Sequence, residues 1–206
     1  MDWSFRQNWD EYTWAKEIRK DELRISGYFR TLPRCLDLPG EEEMIFKKLM
    51  SQPELVPTGV SDPQRQLRSE WEGEDDDADW NEDEVKRNRN SNELSRRVEN
   101  LAVEWNVTAV SQFQQASLSD VMTVTCAFGK LLSRIYNFES TDEADDTMAL
   151  RIALLKRILM DLNELLQCLE QFGQELTSNG SGSCGEFFGP LTLVRESVID
   201  RLGALR

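Results

Sequence analysis

Residues 148–172 read MALRIALLKRILMDLNELLQCLEQF. Met148, Ile152, Leu155, Leu159, Leu162, Leu166 and Leu169 recur at alternating steps of four and three, the spacing of a coiled-coil seam. Leu154, Ile158, Leu165 and Phe172 form a second stripe beside it. Together the stripes are wider than one zipper partner covers, so the helix is expected against two or more neighbours in a bundle. At roughly 1.5–3 kcal/mol per buried side chain, that face contributes tens of kcal/mol before conformational entropy is set against it. Arg151, Lys156, Arg157, Asp161 and Glu164 interrupt it, which excludes a membrane span.

Working outward, residues 139–147 (ESTDEADDT) form an acidic connection that leads into the helix N-terminus, where negative charge is favourable. Before it, Val121, Val124 or Thr125, Phe128, Leu131 or Leu132 and Ile135 predict a helix capped by Ser117 or Ser119; the β-branched run 121–125 resembles a strand, but the continuing period favours helix. Leu94, Val98, Leu101 and Trp105 predict another, ending before Val107-Thr108. Beyond the long helix, NGSGSCG (179–185) reads as a flexible loop rather than a phosphate cradle, since no strand precedes it and no Lys-Ser/Thr follows. A last helix from Pro190 carries Leu191, Val194, Val198, Leu202 and Leu205. Residues 93–206 are therefore expected to close an antiparallel four-helix bundle.

The N-terminal residues 1–51 are aromatic-rich. Trp3, Phe5, Trp9, Tyr12 and Trp14 crowd together, and Phe5, Trp9 and Tyr12 fall at i, i+4, i+7. A helix is expected from Ser4 to Ile25, capped by Ser4 or Asp2 and ending near Gly27, with a second short one over Glu41–Met50. Two helices bury little, so this piece is expected to dock on the chain's own bundle or on another protein.

Residues 52–92 read as a linker, expected to be disordered: Pro53, Pro57, Gly59 and Pro63 give way to EWEGEDDDADWNEDE at 70–84. Ten of the 38 acidic residues lie in that run, so the remaining 28 against 24 basic leave only −4 of the −14 net charge elsewhere. Carboxylates at 75, 77 and 79 imitate the start of an EF-hand loop, but Trp80 stands where glycine is needed and Lys86 where the bidentate Glu belongs. No metal site is expected. Trp71, Trp80, Asp75, Asp76 and Asp77 instead suggest a segment that recognises a basic protein surface, in competition with self-neutralisation by Lys86, Arg87, Arg89, Arg96 and Arg97. Ser69 and Ser140, each with a Glu three positions on, fit acidophilic kinases.

The chain has no histidine, which removes the commonest general base and zinc ligand and every Ser-His or Cys-His pair. Catalytic residues and cofactors are therefore expected to be none. Cys35, Cys126, Cys168 and Cys184 lie far apart without a CxxC pair, and Cys126 and Cys168 are expected as buried free thiols. With no leader-like start, an intracellular place, cytoplasmic or nuclear, is expected. Net negative charge disfavours direct nucleic-acid binding, and helices lacking a basic face disfavour membrane binding. The expectation is an all-α, non-enzymatic protein-protein interaction subunit or adaptor of a multiprotein, hetero-oligomeric complex. The alternatives are an acidic binder or chaperone of basic proteins such as histones, and an enzyme that uses carboxylates.

Overall fold

The computed structural model describes residues 9–36, 38–58, 93–112, 117–141, 147–178 and 184–205. All regular structure among them is helical: α1 (Glu11–Cys35), α2 (Glu41–Met50), α3 (Glu93–Gln112), α4 (Leu118–Glu139), α5 (Met148–Ser178) and α6 (Phe188–Ala204), with 3-10 turns at Pro53–Leu55 and Gly185–Phe187. The segment 121–125 is helix, as its period requires. The chain divides into two compact units, Met1–Asp79 and Trp80–Arg206.

In the first unit, Asp10 accepts a hydrogen bond from the Thr13 amide at 2.8 Å and caps α1. Ser4 and Asp2, the expected caps, lie outside the described residues. The helix does not end at Gly27 but runs on to Cys35, with Pro33 in its last turn. Gly27 is there for proximity: a Cβ at this position would stand 2.7 Å from Leu49 Cδ2, so glycine lets α2 approach α1. The chain reverses at Gly40 (φ 70°), and α2 then buries Ile45, Leu49 and Met50 with Leu55 against Tyr28, Leu32 and Cys35.

Residues 52–58, read from sequence as the start of the linker, return onto α1. Lys20 Nζ donates to Val56 O at 2.8 Å and Thr58 Oγ1 at 3.0 Å, and Arg24 Nη1 donates to Leu55 O at 2.7 Å. Glu17 Oε2 accepts from the Thr58 amide at 3.0 Å, and its Oε1 accepts from Arg24 at 2.9 Å. A segment with no apolar period is thus held by polar side chains of another element, which local pattern does not reveal. The rest of the expected linker, 59–92, lies outside the described residues.

In the second unit each helix packs on its sequence neighbours, and α3 also meets α6. Tyr136 on α4 bonds Glu99 on α3 while Thr125 meets Trp105; Arg134 on α4 reaches Asp161 on α5; Arg195 on α6 bonds Asn163 on α5. The long helix buries Leu155, Ile158, Leu162, Leu165, Leu169, Phe172 and Leu176, a single 3,4 seam drawn from both expected stripes. Met148, Ile152, Leu159 and Leu166 are only half-buried. With α4 and α6 on its two flanks, the axis of the core falls between the stripes rather than along the first.

Trp105, without solvent exposure, is the common neighbour of the four layers. Its ring lies 6.3 Å from that of Phe128 on α4, 5.4 Å from Phe172 on α5 and 5.6 Å from Phe187 at the entry to α6. Because Thr108 and Ala109 are buried in the turn that follows, α3 continues through Val107-Thr108 to Gln112 instead of stopping. Packing outweighs a β-branched penalty below about 0.7 kcal/mol per residue. Cys184 is buried, donating to Leu169 O at 3.2 Å, and a Cβ on Gly173 would sit 2.9 Å from its sulfur.

Candidate interaction surfaces

Two polar clusters are the places where chemistry would first be sought. Asp161, buried on α5, faces Lys130 Nζ at 3.2 Å, Arg134 Nε at 3.4 Å and Arg157 Nε at 3.7 Å, and Lys130 also pairs with Glu164 at 2.7 Å. Burial pushes the Lys130 ammonium down, but its hydrogen bond to Glu164 and the Asp161 charge together hold it above its ordinary value. Every basic group here is a cation already committed to a carboxylate, so the cluster fixes α4 against α5. At the far end of the same pair, Asp120 raises the Glu175 carboxyl by like charge on an exposed surface.

Arg151 occupies a seam position of α5, yet it is buried. It donates to Thr141 O at 3.0 Å and lies 4.8 Å above the Phe138 ring. Glu139 in the same region accepts from the Ser95 amide at 3.4 Å. The end of α4 thereby meets the starts of both α3 and α5. Among the described residues no His, Cys, Asp and Glu grouping has the arrangement of a metal site, and no helix is long and apolar enough to cross a membrane.

Of the residues expected to bind partners, Trp9, Tyr12 and Trp14 are described. Trp9 precedes α1 instead of sharing a helical face with Tyr12, because the helix starts after the Asp10 cap. Its ring stands edge-on to Trp14 at 4.8 Å, both being half-buried, while Tyr12 is 73% exposed. Trp3, Phe5, Trp71, Trp80, Asp75, Asp76 and Asp77 lie outside the described residues. The thiols are redistributed: Cys126 is exposed on the outer side of α4, Cys168 is half-buried, and Cys184 is the buried one. A helix period that counts cysteine as apolar misplaces Cys126, which lies nearly half a turn from the Val124–Phe128–Leu131 face.

Outward apolar stripes were not foreseen. On α3, Val103, Val107 and Val110 repeat at i, i+4, i+7 opposite the core face and are 62%, 63% and 79% exposed. Leu118 and Met122 continue an exposed apolar surface along the first turns of α4. On α1, Ile25 and Phe29 form a comparable open pair, and Leu36 just past the helix end is exposed too. The sequence carries the signal: α3 has two apolar faces, of which the longer forms the core. A basic face, expected to be missing, is also present. Lys16, Arg19, Arg30 and Arg34 are all exposed along one side of α1.

No family model, no curated protein and no solved structure matches the chain.

Proposed function

We propose that the protein is a non-enzymatic subunit or adaptor of a multiprotein complex, working through helical apolar faces and the aromatic N-terminal segment. Residues 93–206 act as an antiparallel four-helix bundle, residues 1–51 as a docking piece, and the stretch between them carries the acidic run. The observation that carries this reading is the valine stripe on α3. Three β-branched apolar side chains at helical spacing, turned outward opposite the core face of α3, do not pack into the core of the described residues, and an apolar surface of this kind marks a contact for another protein. The absence of histidine from the chain supports a binding role over catalysis, and its four free thiols suit the reducing interior of a cell, cytoplasm or nucleus.

Copurification of the intact chain beside a Val103→Ser/Val107→Ser/Val110→Ser variant and an Ile25→Ser/Phe29→Ser variant tests this. The account expects a discrete, stoichiometric partner set with the unaltered chain and loss of members from it in each variant, at unchanged helicity. Identical sets in all three would contradict it.

A second reading rests on ten carboxylates with Trp71 and Trp80 in residues 70–84: binding of a basic protein surface such as a histone. Replacing those carboxylates by Asn and Gln should abolish salt-sensitive binding, and unchanged affinity would sink it.

A further inference from the structure

The cations of α1 fall into two groups. Lys20 and Arg24, on the side that receives residues 55–58, are engaged by Glu17, Asp21 and backbone carbonyls. Lys16, Arg19, Arg30 and Arg34 lie on the adjoining side, about a quarter of a turn away, exposed, with no ion pair among the described residues. Tyr12, Lys16, Arg19, Leu23, Arg30 and Arg34 follow one another at steps of four, three, four, seven and four, so they form one line along the helix. Tyr12 is 73% and Leu23 56% exposed within that line. Glu11, Glu17 and Asp21 project to other sides at 100° per residue, and Glu22, one turn from Arg19, flanks the line at its edge, which leaves the line itself without a carboxylate.

We propose that this stripe is a docking surface for an acidic amphipathic helix of a partner protein, with carboxylates opposite the four cations and apolar side chains meeting Tyr12 and Leu23. The inference rests on the chain being a protein-binding subunit but concerns a different face from the valine stripe of α3. Charge complementarity selects the occupant. Four cations without an ion pair among the described residues, on about 27 Å of helix, are matched by an anionic partner of similar length. Extended polyanions, a nucleic acid duplex or an anionic membrane, would also meet the remainder of a chain whose net charge is −14 and be repelled by it. A single acidic helix touches the stripe alone, within a screening length of about 8 Å at physiological salt. Interleaved Tyr12 and Leu23 supply the apolar contact that a purely electrostatic patch lacks.

The test uses the full chain and a labelled synthetic peptide of about 20 residues, with Leu at seam positions and Glu at the flanking ones, followed by anisotropy at low and moderate salt. The comparison probes are the same peptide with Lys for Glu, a DNA duplex and vesicles containing phosphatidylserine. Expected are salt-sensitive binding of the Glu peptide and not of the Lys peptide, and at least a tenfold loss in the Lys16→Gln/Arg19→Gln/Arg30→Gln/Arg34→Gln variant. Arg96→Gln/Arg97→Gln on α3, which removes two cations elsewhere, should leave binding intact. Should the fourfold variant lose helicity, Arg19→Gln/Arg30→Gln gives the same comparison with less perturbation. Unchanged peptide affinity in the stripe variants, equal loss in the α3 control, or tighter binding of duplex or vesicles than of the Glu peptide overturns the proposal. Loss of copurifying partners from the valine variant would stand regardless, so failure here leaves the adaptor reading separately judged.

Discussion

The indole Nε1–H of Trp105 on α3 donates to Thr125 Oγ1 on α4 at 3.0 Å, and the Thr125 hydroxyl in turn donates to Val121 O at 2.9 Å. The fully buried ring at the junction of four layers is thereby given its polar partner. Thr125→Val keeps the shape and removes the acceptor, leaving a buried N–H without its bond at a cost of about 1–3 kcal/mol. Thermal unfolding followed by near-ultraviolet circular dichroism should shift down by several degrees. Trp105→Ala should cost about 3–5 kcal/mol through the cavity it leaves.

Two glycine-to-alanine changes should have opposite signs. At Gly27 the new Cβ would meet Leu49 Cδ2 at 2.7 Å, so the buried Leu49 side chain must shift from its packed position and the first unit should lose stability. At Gly129 in α4 nothing lies within 4 Å of the new atom, and the change should stabilise by about 0.5–1 kcal/mol through helix propensity. Denaturant midpoints of the two variants give the comparison directly.

Acid should release residues 55–58 from α1. Burial alone would raise the Glu17 carboxyl, but hydrogen bonds from Arg24 and the Thr58 amide outweigh it and hold the group below its ordinary value of 4.5. A depressed carboxyl contributes stability that is present in full above that value and lost as the pH falls through the lowered folded-state value. Stability of the first unit measured from pH 7 downward should therefore decline below about 4.5, and Glu17→Gln should be less stable at pH 7 with that decline flattened.

The four thiols should react in order of exposure. Cys126, on the open side of α4, should be modified first by a disulfide reagent at mildly alkaline pH. Burial raises the Cys184 thiol, and burial with the nearby Glu164 charge raises Cys168, so Cys184 should react only on unfolding. Mass spectrometry of a timed reaction distinguishes this from equal rates.

The helical fold of the described residues was legible wherever the apolar side chains kept a period: Leu94–Trp105 and Val124–Ile135 became helices with those residues inside, and the long run from Met148 became a helix whose inner face takes only part of each expected stripe. The rotation of α5 was not legible, because two stripes of equal quality compete and only the neighbours on either flank select the seam between them. Gly27 gave a misleading stop signal for a similar reason, since its small size serves a contact with Leu49 that lies far off in sequence. The outer faces are hidden from the sequence on a different ground. Val103, Val107 and Val110, and Lys16, Arg19, Arg30 and Arg34, have clear helical spacing, but what sets them apart is that no described residue covers or neutralises them, and that is a property of packing.

The most direct test is the native state of the intact chain in its own cells, measured by size-exclusion and mass spectrometry of gently isolated material. The account predicts elution with other polypeptides in fixed stoichiometry, and release of at least one of them when Val103, Val107 and Val110 become serine in a protein that remains helical. Elution as a lone monomer, or an assembly indifferent to the valine stripe, would contradict it.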